Sequence, residues 1–330
     1  MEGGGPYWKT GVPKMNTMKA FRIHCFGGVD ALQCNMIPIP KMGHDQLIVR
    51  VHAASINPVD FKIRQGKYPM VGADKLPITL GRDFAGVVEH AGEGVSKFKP
   101  GDAVYGLLDV AQGSYAEFVV VKEAGLALKP RTLDYKHAAG VPLAALTAWQ
   151  GLFDHGGLEP GQRVLIHAGA GGVGHFAVQF SKGKGAQTYA TASGEGVEFV
   201  RGLGADCVID YTNERFENVA HEIDLVLDLV AGDTQDRSWQ VLKEGGALIS
   251  SLRGPSKEEA ERLHVRGARF LAQPNGQQLA EIGALIDDGK VRIHLAEVFP
   301  FDEAPNALAR VESGHVHGKI VIDVDALTRR

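Results

Sequence analysis

Cysteine is scarce in this sequence, and neither sign of charge forms a block. The 330 residues include three cysteines, Cys25, Cys34 and Cys207, and 35 basic against 39 acidic side chains give a net charge of −4. Three scattered cysteines cannot build a disulfide framework or a cysteine-rich zinc lobe, and they suit a reduced, cytoplasmic compartment. A weakly acidic chain without a Lys/Arg block has no general attraction to nucleic acid or anionic lipid. No run of about 18 apolar residues occurs, so we expect no membrane partner or span.

Glycine, in contrast, is abundant. The chain has 42 glycines and 15 prolines, and glycine alone reaches nearly twice its average share of about 7%. The two together stay below the roughly 25–30% typical of low-complexity disorder, and no Gly-X-Y period occurs, which excludes collagen. Several glycines lie within the first 17 residues, which lack the apolar core of a signal peptide. We interpret 1–17 as a disordered tail and expect the remaining glycines to occupy tight turns.

The hydrophobic pattern changes along the chain. Residues 18–121 are β-rich, with short strands and frequent turns that favour an antiparallel or barrel-like unit; strands are predicted at 47–53, 84–89, 103–105 and 115–122. After Pro142, apolar strands alternate with helices, which is typical of a parallel sheet covered on both faces. The predicted strands are 163–168, 187–191, 207–210, 223–228, 247–251 and a final 319–324, and the helices are 144–151, 172–181, 197–203, 233–242 and 277–288.

A glycine-rich motif follows the strand predicted at 163–168 and opens the next helix. It consists of Gly169, Ala170, Gly171, Gly172, Val173 and Gly174. In G-x-G-x-x-G the first glycine makes a tight turn, the second lets the backbone approach a pyrophosphate, and the third packs helix on strand. The helix N-terminus then offers free N–H groups and partial positive charge to the phosphates. The alternative is a flexible loop, but the strand–turn–helix setting favours dinucleotide binding.

The identity of the dinucleotide depends on the position about 20 residues after the motif. No Asp or Glu ends the strand there. Instead Ser193 follows it and could donate to a 2′-phosphate, and Tyr211, after the next strand, could add a second hydroxyl. This pattern predicts NADPH. NADH remains the alternative, because Glu195 lies two residues further on and no Lys or Arg follows Ser193 closely.

Several motifs together resemble one family, the zinc-free quinone oxidoreductase branch of the medium-chain dehydrogenase/reductases. The individual motifs are weak, but their order along roughly 18–325 is specific. They are ASINPVD at 54–60, GRDFAGVV at 81–88, PGDAVYG at 100–106, GSYAE at 113–117, LTAW at 146–149, the glycine motif at 168–174 and GHVHGKIV at 314–321.

The resemblance implies an α/β chain in which a Rossmann doubly wound parallel sheet is inserted into a GroES-like, β-rich catalytic domain. The domain bounds would be 18–143 for the first part of the catalytic domain, 144–272 for the NADPH-binding domain and 273–330 for the return to the catalytic domain. It also implies a homodimer.

The sister branch of that family holds a catalytic zinc through Cys and His. Here Asn57 stands where Cys is expected and Arg82 where His is expected, and 90–115 contain no cysteine for a structural zinc site. Oxidation of an alcohol needs its alkoxide stabilised by a Lewis acid, so alcohol dehydrogenation is not expected. His315 and His317 could in principle bind metal, but they lack a third ligand nearby. We therefore expect no metal.

The expected chemistry is hydride transfer from NADPH to a quinone or α,β-unsaturated carbonyl. Charge then develops on the carbonyl oxygen, which preorganised donors stabilise. Asn57 is the first candidate for such a donor, against a plain turn role before Pro58. Lys62 is a donor to oxygen or ribose or simply a surface lysine, and Tyr68 lines the pocket or merely packs. The resemblance places cofactor contacts at Thr147, Leu229, Val230 and Lys319.

Two other functions stay open at this level. One is an NADPH-dependent carbonyl reductase that reduces C=O, and the other is a non-catalytic NADPH-binding protein. A serine acyl-transfer enzyme is not expected, because the sequence has no G-x-S-x-G elbow.

Overall fold

The computed structural model describes residues 17–110 and 112–327. The predicted tail therefore lies outside the described residues as far as position 16, and Thr17 already belongs to a strand. The strands are β1 Thr17–Ile23, β2 Leu32–Pro38, β3 Gln46–Ile56, β4 Ile78–Thr79, β5 Asp83–Ala91, β6 Ala103–Leu107, β7 Phe118–Lys122, β8 Leu126–Leu128, β9 Arg163–Ile166, β10 Gln187–Ala192, β11 Cys207–Asp210, β12 Ile223–Asp228, β13 Leu242–Ser250, β14 Arg266–Arg269, β15 Leu295–Pro300 and β16 Lys319–Asp323.

Nine α-helices lie within the described ranges. They are α1 Pro58–Arg64, α2 Tyr135–Ala139, α3 Pro142–Trp149, α4 Gly174–Lys184, α5 Glu195–Gly202, α6 Gly232–Ser238, α7 Lys257–Arg262, α8 Gly276–Asp287 and α9 Ala304–Glu312. A π-helical turn, Gln150–His155, extends α3.

The first part of the chain forms two largely antiparallel sheets. One has the order β2-β1-β4, and the other has the order β15-β16-β3-β5-β6-β8 with β7 also pairing with β3. The C-terminal strand β16 pairs antiparallel with β3, so that Ile320 faces Ile56. The end of the chain thus returns to the sheet that its beginning builds, and it completes the larger sheet's apolar core.

The middle of the chain forms a six-stranded parallel sheet of order β11-β10-β9-β12-β13-β14. Counted within the sheet this is 3-2-1-4-5-6, the doubly wound order whose ligand crevice lies at the carboxyl ends of the strands where the order reverses. Successive residues of β9 and β12, among them Leu165, Ile166, Leu225 and Val226, are all buried. Helices therefore cover both faces, which confirms the predicted fold class; the domain bounds stay a prediction.

Element ends differ from the predicted ones where turns intervene. The helix predicted at 233–242 ends at Ser238, followed by a 3₁₀ turn, Trp239–Val241. The strand predicted at 115–122 begins only at Phe118. The pattern missed β1, β2, α1 and the C-terminal α9, because short or half-exposed elements carry little periodic signal.

Candidate functional site

The glycine motif forms the turn between β9 and α4, at the point where the order of the parallel strands reverses. The left-handed residue of this turn is Ala168, with φ 55°, rather than the first glycine of the motif. Gly169 is needed for a different reason: a Cβ there would lie 2.9 Å from Cβ of Ala190 on the neighbouring strand. The left-handed residue of the predicted tight turn is thus one position before Gly169, and Gly169 has to be small because Ala190 packs against it.

The later glycines have separate roles. A Cβ on Gly174 would lie 2.1 Å from the Ala168 carbonyl oxygen, so the start of α4 packs directly on the turn. A Cβ on Gly171 would meet only that same oxygen, at 3.3 Å, and otherwise open space. An open, side-chain-free backbone before a helix N-terminus suits a pyrophosphate. Ala170 and Val173 complete the turn, and the residues present fit a dinucleotide.

Two contacts join this turn to the larger antiparallel sheet. The backbone N–H of Gly318 donates to the Ala170 carbonyl at 2.9 Å, and a Cβ on Gly172 would lie 3.1 Å from Cδ of Lys319. The glycine turn and the first residue of β16 therefore lie side by side, although they are about 145 positions apart. At this junction the cofactor turn meets the larger antiparallel sheet, which carries the candidate catalytic residues.

Ser193 and Tyr211 meet at the carboxyl ends of β10 and β11. These strands are parallel neighbours, with Ala192 opposite Asp210, and the Ser193 hydroxyl donates to the Tyr211 hydroxyl at 2.7 Å. The Tyr211 ring is half exposed. The two hydroxyls predicted to read the ribose thus share one site at the edge of the crevice.

Asn57 lies in a buried network rather than on an open cleft wall. Its Nδ2 donates to Asp83 at 2.8 Å, and its Oδ1 accepts from the Lys319 ammonium at 2.6 Å. Lys319 also donates to the Ile56 carbonyl at 2.9 Å, and Ser55 donates to Asp83 at 2.7 Å. The amide has little capacity left for a substrate oxygen. Lys319 directs its charge into this network, with only its methylene stem against the cofactor turn.

The charges in this network are desolvated. Lys319 is 4% exposed and Asp83 is fully buried, and their charged atoms lie 4.0 Å apart. Burial lowers the pKa of Lys319, against the opposing effect of Asp83 and Asp60. A buried ammonium persists only when such partners compensate the loss of water, so the network holds its members in place.

Asp60, on the first turn of α1, is a second buried carboxyl beside this network. Its Oδ2 accepts from the Asn57 backbone at 2.8 Å and from the Tyr115 hydroxyl at 2.7 Å, while its Oδ1 has no hydrogen-bond partner among the described residues. Burial raises the pKa of Asp60 to about 6. Burial and the Asp60 carboxylate together raise the pKa of Tyr115.

Replacing Asp60 by Asn should change how stability depends on pH. The folded pKa of about 6 exceeds the ordinary 3.8, so between these values the folded chain keeps a proton that the unfolded chain has lost. Wild-type stability then falls as pH rises through this window, by about 3 kcal/mol in total, and is flat above it. Asp60→Asn cannot ionise and escapes this loss. Its advantage in urea unfolding should grow between about pH 4 and pH 7.

Two buried histidines provide the internal control for that comparison. Burial lowers the pKa of His167 to about 4 and that of His175 to about 3, so both histidines weaken the fold in acid. They do so equally in wild type and variant and cancel in the difference. A difference that stayed constant with pH would contradict the assignment of the raised pKa to Asp60.

Tyr68 lines a cleft of ≈ 240 Å³ between the loop after α1 and the segment after β14. The other lining residues are Met70, Val71, Lys75, Arg82, Asp109, Val110, Leu271, Ala272 and Gln273. The lining residues lie in loops that adjoin strands of both the larger antiparallel sheet and the parallel sheet, so this cleft has the position expected of a substrate site. Tyr68 thus lies on the wall of this cleft, and a role for it towards substrate stays a prediction.

Lys62 lies half-buried on α1, and the described residues offer it no hydrogen-bond or ion-pair partner. Burial lowers the pKa of its ammonium, and the positive charge of Arg269 at the end of β14 lowers it further. The two cations therefore lie close enough for their charges to interact. Unlike Asn57, Lys62 has all its donors available.

The predicted nicotinamide contacts lie at two further places. Thr147 is buried on α3, and its hydroxyl donates to the Leu143 carbonyl at 2.6 Å. Leu229 and Val230 begin the turn after β12, which Asp228 holds: its Oδ1 accepts from the backbone N–H groups of Val230 at 3.0 Å and Ala231 at 2.8 Å. Val230 is 46% exposed, so this turn presents apolar side chains to the crevice.

His315 and His317 are not brought together with a third ligand. His315 is exposed, and the His317 ring stacks on Phe199 with a centroid distance of 6.1 Å. Within 17–110 and 112–327, no group of three or more His, Cys, Asp or Glu side chains is placed to hold a metal ion. No helix in those ranges is long and apolar enough to cross a membrane.

Sequence reasoning missed Asp83, Asp228 and His167. Asp83 lies at the centre of the Asn57 network, where it accepts four hydrogen-bond or ionic contacts. It directly follows Arg82, the residue at the position where the zinc-binding branch has His. His167 is buried beneath the cofactor turn, and its Nε2 lies 2.8 Å from the Ser238 hydroxyl. Because Ser238 donates to the Thr234 carbonyl, Nε2 carries the proton. A polar residue inside an apolar strand was the available signal.

Comparison with known proteins places the chain among the dehydrogenases. A zinc-binding dehydrogenase family model matches 203–322, and an alcohol dehydrogenase GroES-like domain model matches 43–131. The chain is 38% identical over 323 residues to the chloroplastic NADPH-dependent alkenal/one oxidoreductase of Arabidopsis thaliana, covering 94% of this chain and 80% of the relative.

Two solved structures extend this likeness to the whole described fold. The quinone oxidoreductase of Coxiella burnetii has a TM-score of 0.87 at 37% identity, covering 93% of this chain and 99% of that one. The Escherichia coli quinone oxidoreductase complexed with NADPH has a TM-score of 0.84 at 26% identity, covering 92% of this chain and 99% of that one.

Proposed function

The chain belongs to the quinone oxidoreductase-like branch of the medium-chain dehydrogenase/reductase superfamily, and from that premise we propose that it reduces quinones or α,β-unsaturated carbonyls with NADPH. The observation that carries the proposal is the junction itself. The side-chain-free turn at Gly171 and Gly174 lies against β16, and loops that adjoin both the larger antiparallel sheet and the parallel sheet line a cleft. Cofactor and substrate can thus meet between the two sheets.

The residues of the turn would hold the cofactor. The open backbone at Gly171 and the N-terminus of α4 suit the pyrophosphate, and Ser193 with Tyr211 suits the 2′-phosphate. Leu229, Val230 and Thr147 would border the nicotinamide. When bound, NADPH supplies the hydride; the protein positions the reactants and stabilises charge.

The donor to the developing oxyanion is Lys62 in this proposal. Its ammonium is half-buried and has no partner within 17–110 and 112–327, and its lowered pKa makes it a better proton donor. Asn57 is engaged on both sides by Lys319 and Asp83 and would act by fixing the start of α1. Tyr68 would form part of the cleft wall.

Zinc independence is part of the proposal. In the sister branch two positions hold the zinc ligands Cys and His. Here the first position is Asn57, whose amide accepts a hydrogen bond from the Lys319 ammonium, and the second is Arg82, which carries a guanidinium. A divalent cation at this place would meet two positive groups instead of two ligands.

A single assay separates this function from its alternatives. Oxidation of NADPH is followed at saturating cofactor with a quinone, an alkenone, a saturated aldehyde or no substrate, each with and without a chelator. We expect turnover with quinone or alkenone that the chelator leaves unchanged. Turnover of the aldehyde alone would instead support a carbonyl reductase, turnover of nothing a binding protein, and chelator sensitivity a metal enzyme.

Replacing Ser193 by Glu should reverse the preference between cofactors. A carboxylate at this position accepts from a ribose 2′-hydroxyl and repels a 2′-phosphate. We expect the ratio of kcat/KM for NADPH over NADH to fall about tenfold or more, equivalent to at least about 1.4 kcal/mol. Tyr211→Phe removes a hydroxyl without adding charge and should lower the ratio only severalfold. A wild type that prefers NADH would contradict the assignment of Ser193.

Assembly and compartment complete the proposal. We infer a homodimer from the family resemblance, to be tested by light scattering, which should give twice the chain mass. The few, scattered cysteines support a reduced cytoplasmic location, which cell fractionation would test; recovery in a sealed organelle would contradict it.

A further inference from the structure

Arg82 is a buried cation that the network around Asn57 does not use. It is 8% exposed, and its Nε donates to the Leu108 carbonyl at 3.0 Å. The Leu108 backbone N–H returns a bond of 2.8 Å to the Arg82 carbonyl. This pair of bonds fixes both the backbone of Arg82 and the base of its guanidinium.

The outer end of the guanidinium is free. Neither Nη makes a hydrogen bond within the described residues, and no carboxylate there lies within ion-pair distance. Neither Nη is among the fully buried polar atoms that lack a partner, so both keep some accessible surface. Arg82 lines the ≈ 240 Å³ cleft. Holding a largely buried charge without a counter-ion costs stability, so this arrangement is costly unless a ligand supplies the anion.

The rest of the cleft determines what kind of ligand fits. Apolar surface comes from Met70, Val71 and Leu271, together with the ring of Tyr68. Such a wall suits an aliphatic or ring-bearing substrate body.

The charged groups at the cleft do not neutralise Arg82. Lys75 donates to the Met70 carbonyl at 2.9 Å and adds a second positive charge, while Asp109, which also lines the cleft, is exposed. Two basic side chains, Arg82 and Lys75, thus stand against one acidic side chain in the lining. The balance of charge around the cleft is therefore positive, which attracts anions.

We propose that this cleft selects substrates that carry a carboxylate apart from the reacting enone or quinone, and that Arg82 binds that carboxylate. This inference rests on the proposed reductase function and names the substrate class of the same site. The planar guanidinium offers two parallel N–H donors, which match the two oxygens of a carboxylate.

The test uses the full-length chain with NADPH and two substrates that differ in one charge. One is 6-oxohept-4-enoate, whose carboxylate is separated from the enone by two methylenes, and the other is its methyl ester. We expect kcat/KM to favour the carboxylate about tenfold or more, the effect of one charge-assisted hydrogen-bond pair. The preference should arise mainly from a lower KM and should weaken with added salt.

The variants Arg82→Met and Lys75→Met assign that preference to one contact. Arg82→Met should abolish it while leaving the ester within about threefold of wild type, because an uncharged substrate does not need the guanidinium. Lys75→Met removes an equal charge from the same cleft and should leave most of the preference. Equal loss in both variants would indicate a general field in place of a contact at Arg82.

The remaining outcomes separate this inference from the proposed function. Reduction of the ester without any preference for the carboxylate in wild type would overturn the inference and leave the reductase function intact. Equal slowing of both substrates in Arg82→Met would place Arg82 at the reacting carbonyl, which also overturns it. Turnover of neither substrate would overturn this inference, and the proposed function would then be decided by the quinone arm of the assay above. The ratio of kcat/KM for the carboxylate over the ester is measured on the wild type, so the inference can be overturned even if Arg82→Met misfolds.

Discussion

Gly174→Ala should abolish NADPH binding and weaken the fold. The added Cβ would lie 2.1 Å from the Ala168 carbonyl oxygen and 2.8 Å from Cα of Gly169, and both are backbone atoms that no rotamer change can move. Relieving the contact requires α4 to shift away from the turn that receives the pyrophosphate. We expect a loss of about 3 kcal/mol or more in unfolding free energy and at least about a hundredfold weaker NADPH binding.

Gly183→Ala is the matched control on the same helix. A Cβ there meets nothing within 4 Å, so the substitution adds helix propensity without a clash and should raise stability by about 0.5–1 kcal/mol. Fluorescence titration with NADPH and urea unfolding measure both variants. If Gly174→Ala bound NADPH as wild type does, the close packing of α4 on the turn would not be needed for cofactor binding.

Lys319→Met should be the most damaging change outside the glycine turn. It removes the ammonium that donates to Asn57 and Ile56 and leaves the fully buried Asp83 carboxylate without a compensating charge. Breaking one partner of a buried pair costs about 3–5 kcal/mol. Urea unfolding should show a loss of this size, and the midpoint of thermal unfolding should fall with it.

The double variant Lys319→Met/Asp83→Asn separates charge from packing. Removing the stranded carboxylate should recover part of the loss, so the two substitutions should be less harmful together than the sum of their separate effects. NADPH affinity measured on the folded fraction distinguishes a structural lysine from one that contacts the cofactor. A single variant as stable as wild type with greatly weakened NADPH binding would restore the cofactor contact predicted from the resemblance.

Much of the cofactor site could be predicted from the sequence because it is local. Gly169 to Gly174 are consecutive, and the strand before them and the helix after them have clear periods. Ser193 and Tyr211 follow neighbouring parallel strands, whose carboxyl ends share one edge of the sheet. Their 2.7 Å contact is therefore a consequence of strand order that sequence spacing anticipates.

The catalytic side of the junction could not be predicted in the same way. Asn57 was expected to offer its amide to a substrate, but Lys319 and Asp83 occupy that amide. These three residues are separated by 26 and 262 positions from Asn57, and no local pattern encodes such distances. Arg82 was noticed only as a departure from a zinc ligand, and its free donors became evident from its surroundings.

The sequence by itself determined the parallel sheet and the cofactor turn, because each depends on periodicity or on a short contiguous motif, and the class of chemistry was implied by the resemblance of an ordered set of motifs to one family. Only the tertiary structure decided which polar groups are engaged and which are free. Burial removes water from a polar side chain and leaves its partner to be chosen by whichever distant segment packs against it. The strand that returns from the C-terminus thus brings Lys319 to Asn57, while Arg82 keeps donors available at the cleft and Lys62 keeps its ammonium without a partner among the described residues.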